Sequence, residues 1–206
     1  MNARRSIAFS VFINSAIACR ALVPAAFPAA APTSSVDPTL LRFEDQWVVF
    51  DYPKGFKVHA AGDPTFRWYP EIDLGGALVV GLGDPTDFSH EKYFRFIRMM
   101  RRAMPAGDDL QKIMSETYDR VSQEHPNSES EPGATARVTV SGQAALETTY
   151  RVFYSAPAYD VRDIWVLHNG AIYIISISTP FHNPRDSAQF QSLADGIVGS
   201  LEFKRP

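Results

Sequence analysis

The sequence contains a single cysteine, Cys19, so no internal disulfide can form and the fold must be held by burial alone. Cationic excess is missing as well. The formal net charge is −3 and the isoelectric point about 5.9, which argues against a nucleic-acid partner, since such domains carry a strong basic surplus. No apolar run reaches the roughly twenty residues of a good spanning helix; residues 7–18 come nearest and are interrupted by Asn14 and Ser15. The five histidines, His59, His90, His125, His168 and His182, include no pair at the i, i+4 spacing of a helical zinc site. No metal or cofactor is expected. A Gly-x-Ser-x-Gly nucleophile elbow is absent, and Cys19 lies too near the amino terminus to join a Cys-His arrangement in the folded part. The stretch Gly81-Leu82-Gly83-Asp84-Pro85 imitates a phosphate loop, but Thr86 stands where the third glycine belongs and Pro85 removes an N–H donor. These absences point away from an enzyme.

What is present begins with an export pattern. Residues 1–32 hold no acidic side chain, and Arg4 and Arg5 precede the apolar run, followed by a Pro/Ala-rich stretch. This matches the charged and apolar regions of an export signal, assigned to residues 1–31. Ala16-Ile17-Ala18-Cys19 resembles a bacterial lipobox, with Cys19 as candidate lipidation site, although Ala16 replaces the usual leucine. The competing cleavage site, Ala29-Ala30-Ala31, is followed by Pro32. An organelle transit peptide is the alternative. Residues 24–39 read as a Pro/Ala/Ser-rich spacer, and residues 40–206 as the folded domain.

Within that domain, residues 47–50 read as a strand, 51–55 as a turn and 56–58 as a short return strand. Phe66, Trp68 and Tyr69 follow, either as anchors for a partner or as cover for a sheet edge, and then an apolar strand at 76–81. Residues 89–103 fit a helix with Asp87 or Ser89 as N-cap. At 100° per residue Tyr93, Phe96, Ile97, Met100 and Met104 share one side and Arg95, Arg98, Arg101 and Arg102 the other. Such a basic face either docks an acidic protein or anionic lipid or is simply solvated. Pro105 and Gly107 break this helix and 108–123 form a second, burying Leu110, Ile113, Met114, Thr117 and Val121. Residues 122–134 read as an acidic solvated loop.

The organising stretch runs from 136 to 178. Ser141-Gly142 and Asn169-Gly170 are turns between strand-like segments, and Asn-Gly is the strongest short hairpin signal because both residues tolerate the positive φ of a type I′ turn. Leu146, Tyr150 and Val152 face one way and Phe153 the other, while Ile172 and Ile174 oppose Tyr173, Ile175 and Ile177; both faces should be covered. Asp160 and Asp163, with Arg162 between them, tempt an acid/base reading, but three positions put them on opposite faces of a strand. Arg162 with Glu147, or Arg151 with Asp163, is the expected cross-strand pairing. Asn183 and Pro184 open a last helix with Phe190, Leu193, Ala194, Ile197 and Leu201 as its stripe.

The series Phe50-Asp51-Tyr52-Pro53-Lys54-Gly55-Phe56-Lys57-Val58, then Val138-Thr139-Val140-Ser141-Gly142-Gln143-Ala144-Ala145, the Asn169-Gly170 hairpin, Tyr173-Ile174-Ile175 and the closing helix resembles the PsbP-like domain family over residues 40–203. The resemblance implies an α+β fold, an α/β/α sandwich with a central antiparallel sheet covered by helices on both faces, shared with a Ran-binding nuclear import factor. It also implies a non-enzymatic role, binding or assembling a protein partner at a membrane or envelope in an exported compartment: periplasm, cell envelope, or an organelle lumen such as the thylakoid. The candidate partner-binding residues are Arg95, Arg98, Arg101, Arg102, Trp68 and Tyr69. The alternative is a carrier or sensor of a small apolar ligand held between sheet and helix, for which a deep apolar pocket near Trp68 and Trp165 would be the mark.

Overall fold

A computed structural model of the chain describes residues 39–124, 129–153, 158–181 and 184–205. The expected export signal with Cys19, nearly all of the expected spacer and the expected Asn183 cap lie outside the described residues. None of the described helices is long and apolar enough to cross a membrane.

Tight turns set the long strands. β8 (Glu129–Val140) and β9 (Gln143–Phe153) meet across Ser141 and Gly142, at φ 50° and 74°, and β10 (Ala158–His168) and β11 (Ala171–Pro180) meet across Asn169 and Gly170, at φ 48° and 70°. Positive φ at both central residues gives each turn the twist that matches a right-handed strand pair. β9 also pairs antiparallel with β10. On the far side of β11 lies β7 (Phe96–Ala103), then β4 (Ala77–Gly83) and β3 (Lys57–Ala60), completing a seven-stranded antiparallel sheet in the order β3-β4-β7-β11-β10-β9-β8. A second sheet of three strands joins β1 (Leu40–Glu44), β2 (Val48–Pro53) and β12 (Glu202–Phe203), and β5 (Phe88–Ser89) with β6 (Lys92–Tyr93) forms a small hairpin.

Three expectations change here. The helix at 89–103 is absent, and the stretch forms β5, β6 and β7. Its apolar residues fit a helical stripe, but β7 is a central strand bonded to β4 and β11, and a strand buried on both faces reads as a near-continuous apolar run. The short return at 56–58 does not fold back on β2; it belongs to β3 and pairs with β4 in the other sheet. Within the acidic stretch at 122–134, α1 continues to Glu124 and Glu129 begins β8, opposite Phe153.

The two helices appear where their patterns place them. α1 (Leu110–Glu124) buries Ile113, Met114 and Thr117, and α2 (Pro184–Gly199) buries Phe190, Ala194 and Ile197. Ile113 and Met114 pack with Met100, Trp165, Ile172 and Ile174, together with Ile72 and Leu74 from the segment before β4. Phe190, Ala194 and Ile197 pack with Ile97, Met99, Tyr173, Ile175 and Ile177, together with Val48 and Phe50 of β2. Strand alternation puts these two clusters on opposite faces of the large sheet. Each fully buried aliphatic side chain contributes about 1.5–3 kcal/mol, so β11, buried at every position, is the spine of the molecule.

A buried polar rung and the cleft beside it

Directly opposed residues on neighbouring strands point to the same face. Following the register sideways, His59 of β3 stands opposite Gly81 of β4, Gly81 opposite Arg98 of β7, Arg98 opposite Ser176 of β11, Ser176 opposite Asp163 of β10, and Asp163 opposite Thr148 of β9. One polar rung thus crosses the core on the α1 face. His59, Arg98, Ser176, Asp163 and Thr148 are all buried. No single strand shows this row in its sequence, because its members lie on separate strands.

At one end of the rung, Asp163 accepts hydrogen bonds from Ser176 Oγ at 2.5 Å, Tyr118 OH at 2.7 Å and Tyr150 OH at 2.9 Å. Trp165 Nε1 donates to Tyr118 OH at 3.2 Å, so α1 is tied to the sheet through a tyrosine with bonds on both sides. Burial pushes the Asp163 carboxyl up, and the three hydroxyl donors and the Arg98 charge oppose that. Burial, followed by the nearby Asp163 charge, pushes Tyr118 up as well. Asp163 is therefore a structural acceptor facing away from Asp160, as three positions of a strand require. Arg162 approaches Glu147 to 3.8 Å as expected, but Arg151 bonds Asp160 at 2.7 Å instead of Asp163. The register explains it: Asp160 is the residue opposite Arg151, and Asp163 stands opposite Thr148.

At the other end, His59 Nδ1 lies 2.7 Å from Asp63 Oδ2 and Nε2 lies 3.1 Å from Tyr93 OH. Hydrogen bonds from the Thr65 hydroxyl and the Thr65 N–H, then His59, hold the Asp63 carboxyl down to about 2. Phe66 stacks on His59 with ring centroids 4.9 Å apart and sits on Gly81, where a Cβ would fall 2.2 Å from its ring. Gly83 likewise makes room for Tyr93. The glycines that imitate a phosphate loop serve close aromatic packing.

Between the two ends lies Arg98, 2% exposed. Its Nη2 donates to the Ile72 carbonyl at 2.6 Å, and its guanidinium stacks on Trp68 at 4.8 Å from the ring centroid. Beside it opens a cleft of about 590 Å³ lined by Phe66, Trp68, Ile72, Leu78 and Met100 among apolar residues and by Arg67, Glu71, Asp73, Lys92 and Arg98 among charged ones. That volume is in the range of small-molecule sites, roughly 300–1,000 Å³. Trp165, fully buried beneath the α1 face, is not part of its lining. A second cleft of about 610 Å³, between the start of α1 and the β8–β9 hairpin, offers no buried charge and no aromatic ring. The first is therefore the better candidate.

The four arginines do not form one basic face. In β7, Arg98 and Arg102 point to the side opposite Arg101. Arg95 approaches Asp84 at 3.2 Å and Asp87 at 3.9 Å, and Arg101 lies over Trp47 at 3.9 Å. Trp68 reaches the cleft, whereas Tyr69 packs against Phe94 and Tyr159. Among the described residues no group of three or more potential metal ligands comes together.

A seven-stranded antiparallel sheet with two helices defines an α+β domain, and its fold is PsbP-like. The solution structure of cyanobacterial PsbP (CyanoP) from Synechocystis sp. PCC 6803 is similar at a TM-score of 0.58 with 14% identity, over 86% of this chain and 99% of that one. The Saccharomyces cerevisiae Ran-binding protein Mog1p has a TM-score of 0.49, 12% identity, and 79% and 94% coverage. LpqN, involved in cell envelope biogenesis of Mycobacterium tuberculosis, has 0.45, 13%, and 81% and 90%. At these identities the likeness is one of fold. No family model matches the sequence, and no curated protein matches it.

Proposed function

We propose that the protein is an exported, non-catalytic binding domain that holds a ligand with an apolar body in the cleft beside Trp68, as a carrier or sensor. The observation that carries this reading is the cleft itself, with Phe66, Leu78 and Met100 on its walls and Trp68 beside a buried arginine. Its non-catalytic character is supported by the rung, whose Asp163 and His59 are engaged with neighbouring side chains and do not line the cleft. Export is supported by the acid-free amino terminus with Arg4 and Arg5, and attachment by Cys19. Cys19→Ser moves the protein from the membrane to the soluble fraction if that thiol is acylated; a natural chain found wholly soluble refutes the anchor.

The cleft is tested with N-phenyl-1-naphthylamine, an uncharged fluorescent probe. Saturable binding is expected, weakened at least about fivefold in Trp68→Ala, since truncating an aromatic anchor costs more than about 1 kcal/mol. Binding that does not saturate, or that Trp68→Ala leaves unchanged, overturns the reading.

A second reading, recognition of a protein partner at an envelope or membrane, is favoured by the half-buried Trp68 and the exposed Arg67 at the rim, which a partner's side chain can reach. A cross-linked pull-down from envelope fractions that captures a specific partner with the natural chain, and loses it with Trp68→Ala, supports it. Docking to anionic lipid through four arginines has lost its basis, because the face that would do it does not form.

A further inference from the structure

Resting on the cleft reading above, we propose that the ligand is an amphipathic monocarboxylate whose carboxylate pairs with Arg98 while its apolar body lies against Phe66, Leu78 and Met100. Arg98 is buried, which pushes its guanidinium below its ordinary value while the Asp163 charge opposes that, yet among the described residues no carboxylate oxygen stands within ion-pair distance of it, and its Nε and Nη1 have no hydrogen-bond partner. The buried Trp68 Nε1, beside it, is also without one. Arg98 and Trp68 both belong to the lining of the same cleft. A guanidinium fork with free N–H groups matches a carboxylate in geometry and charge.

The charges of Asp163 and Asp73 act on Arg98 through space, but neither forms an ion pair with it. Asp163 lies two strands away with Ser176 between, about 10 Å by strand spacing, and its oxygens already accept three hydroxyl donors. The other cations at the cleft are matched: Lys92 bonds Glu71 at 2.5 Å and Arg67 approaches Glu91 at 3.3 Å. Glu71 and Asp73 also line the cleft, and their charges disfavour a dianion such as a phosphate monoester. A single negative charge on an apolar body is the chemistry that remains.

The test compares decanoate with decanol on the full chain, followed by tryptophan fluorescence. Decanoate is expected to bind about tenfold or more tightly than decanol, the scale of a hydrogen bond to a charged group. Arg98→Met should abolish that preference while decanol still binds. Should Arg98→Met fail to fold, Arg98→Lys keeps a positive charge in the core and should retain only part of the preference, and Lys112→Gln, outside the cleft lining, should leave it intact. Equal affinity for acid and alcohol overturns the carboxylate assignment and leaves the cleft reading standing. A preference lost in Lys112→Gln and kept in Arg98→Lys moves the anion away from Arg98 and overturns the assignment too. Failure of both probes to bind refutes the cleft reading and this inference with it. Naphthalene-2-carboxylate in place of decanoate distinguishes an aromatic from an aliphatic body.

Discussion

Replacing Gly81 by alanine tests whether the aromatic wall of the cleft is held by the absence of a side chain beneath it. Gly81 has no positive φ, so backbone strain is not at issue; the added Cβ would fall 2.2, 2.3 and 2.5 Å from three ring atoms of Phe66. A glycine-to-alanine change inside an unobstructed strand ordinarily stabilises by about 0.5–1 kcal/mol, so the two effects have opposite signs. Ordinary contact needs about 3.5 Å, and the ring must move by more than 1 Å within a cluster of His59, Trp68, Tyr93 and Phe96. Overpacking of that kind costs about 1–3 kcal/mol, approaching the cost of losing the buried ring where it is expelled. We expect Gly81→Ala to destabilise by about 2 kcal/mol in urea unfolding and to weaken binding of the uncharged probe. In a Phe66→Ala background the same change should be neutral or stabilising, because the obstructing ring is gone; the interaction energy of the cycle then carries the whole effect. Additive single changes, or a Gly81→Ala protein as stable as the natural one, refute the reasoning.

Other consequences are open to the same kind of measurement. Tyr118→Phe removes a donor from Asp163 and the acceptor of Trp165 Nε1, and should cost about 1–3 kcal/mol in denaturant unfolding; a change under about 0.5 kcal/mol argues against the α1 tie. Asp63 is held at about 2 from an ordinary value of 3.8, so the unfolded chain binds the extra proton between those values. Its stabilisation is present above about pH 4 and lost as the pH falls through about 2. Asp63→Asn should flatten that part of the acid limb, and an unchanged limb removes Asp63 as its source. Asn169→Ala places a Cβ-bearing residue without a polar side chain at φ 48° and should cost about 1 kcal/mol, whereas Asn169→Gly should stay within about 0.5 kcal/mol; equal melting shifts would refute the turn argument.

What the sequence by itself determined is local. Asn169-Gly170 and Ser141-Gly142 specify their turns because each pair ends in a glycine, which takes positive φ without steric cost, and Asn169 tolerates it as well. The stripes Ile113-Met114-Thr117 and Phe190-Ala194-Ile197 specify helices because their period is met within one element. The alternation in β11 and β9 likewise assigns each side chain to a face before any partner is known. Only the tertiary structure decided β7. Its run of Phe, Ile, Met and Arg fits a helix as well as a strand, and pairing with β4 and β11 settled it, scattering the four arginines across two faces. The cleft was legible in part, since Trp68 marked it, but Arg98 was read as a surface charge. Its burial, and its place in a row with Ser176 and Asp163, depend on the register of strands far apart in the chain, and register is fixed by packing across the sheet. A charge pattern within one segment carries no information about which distant strand will lie beside it.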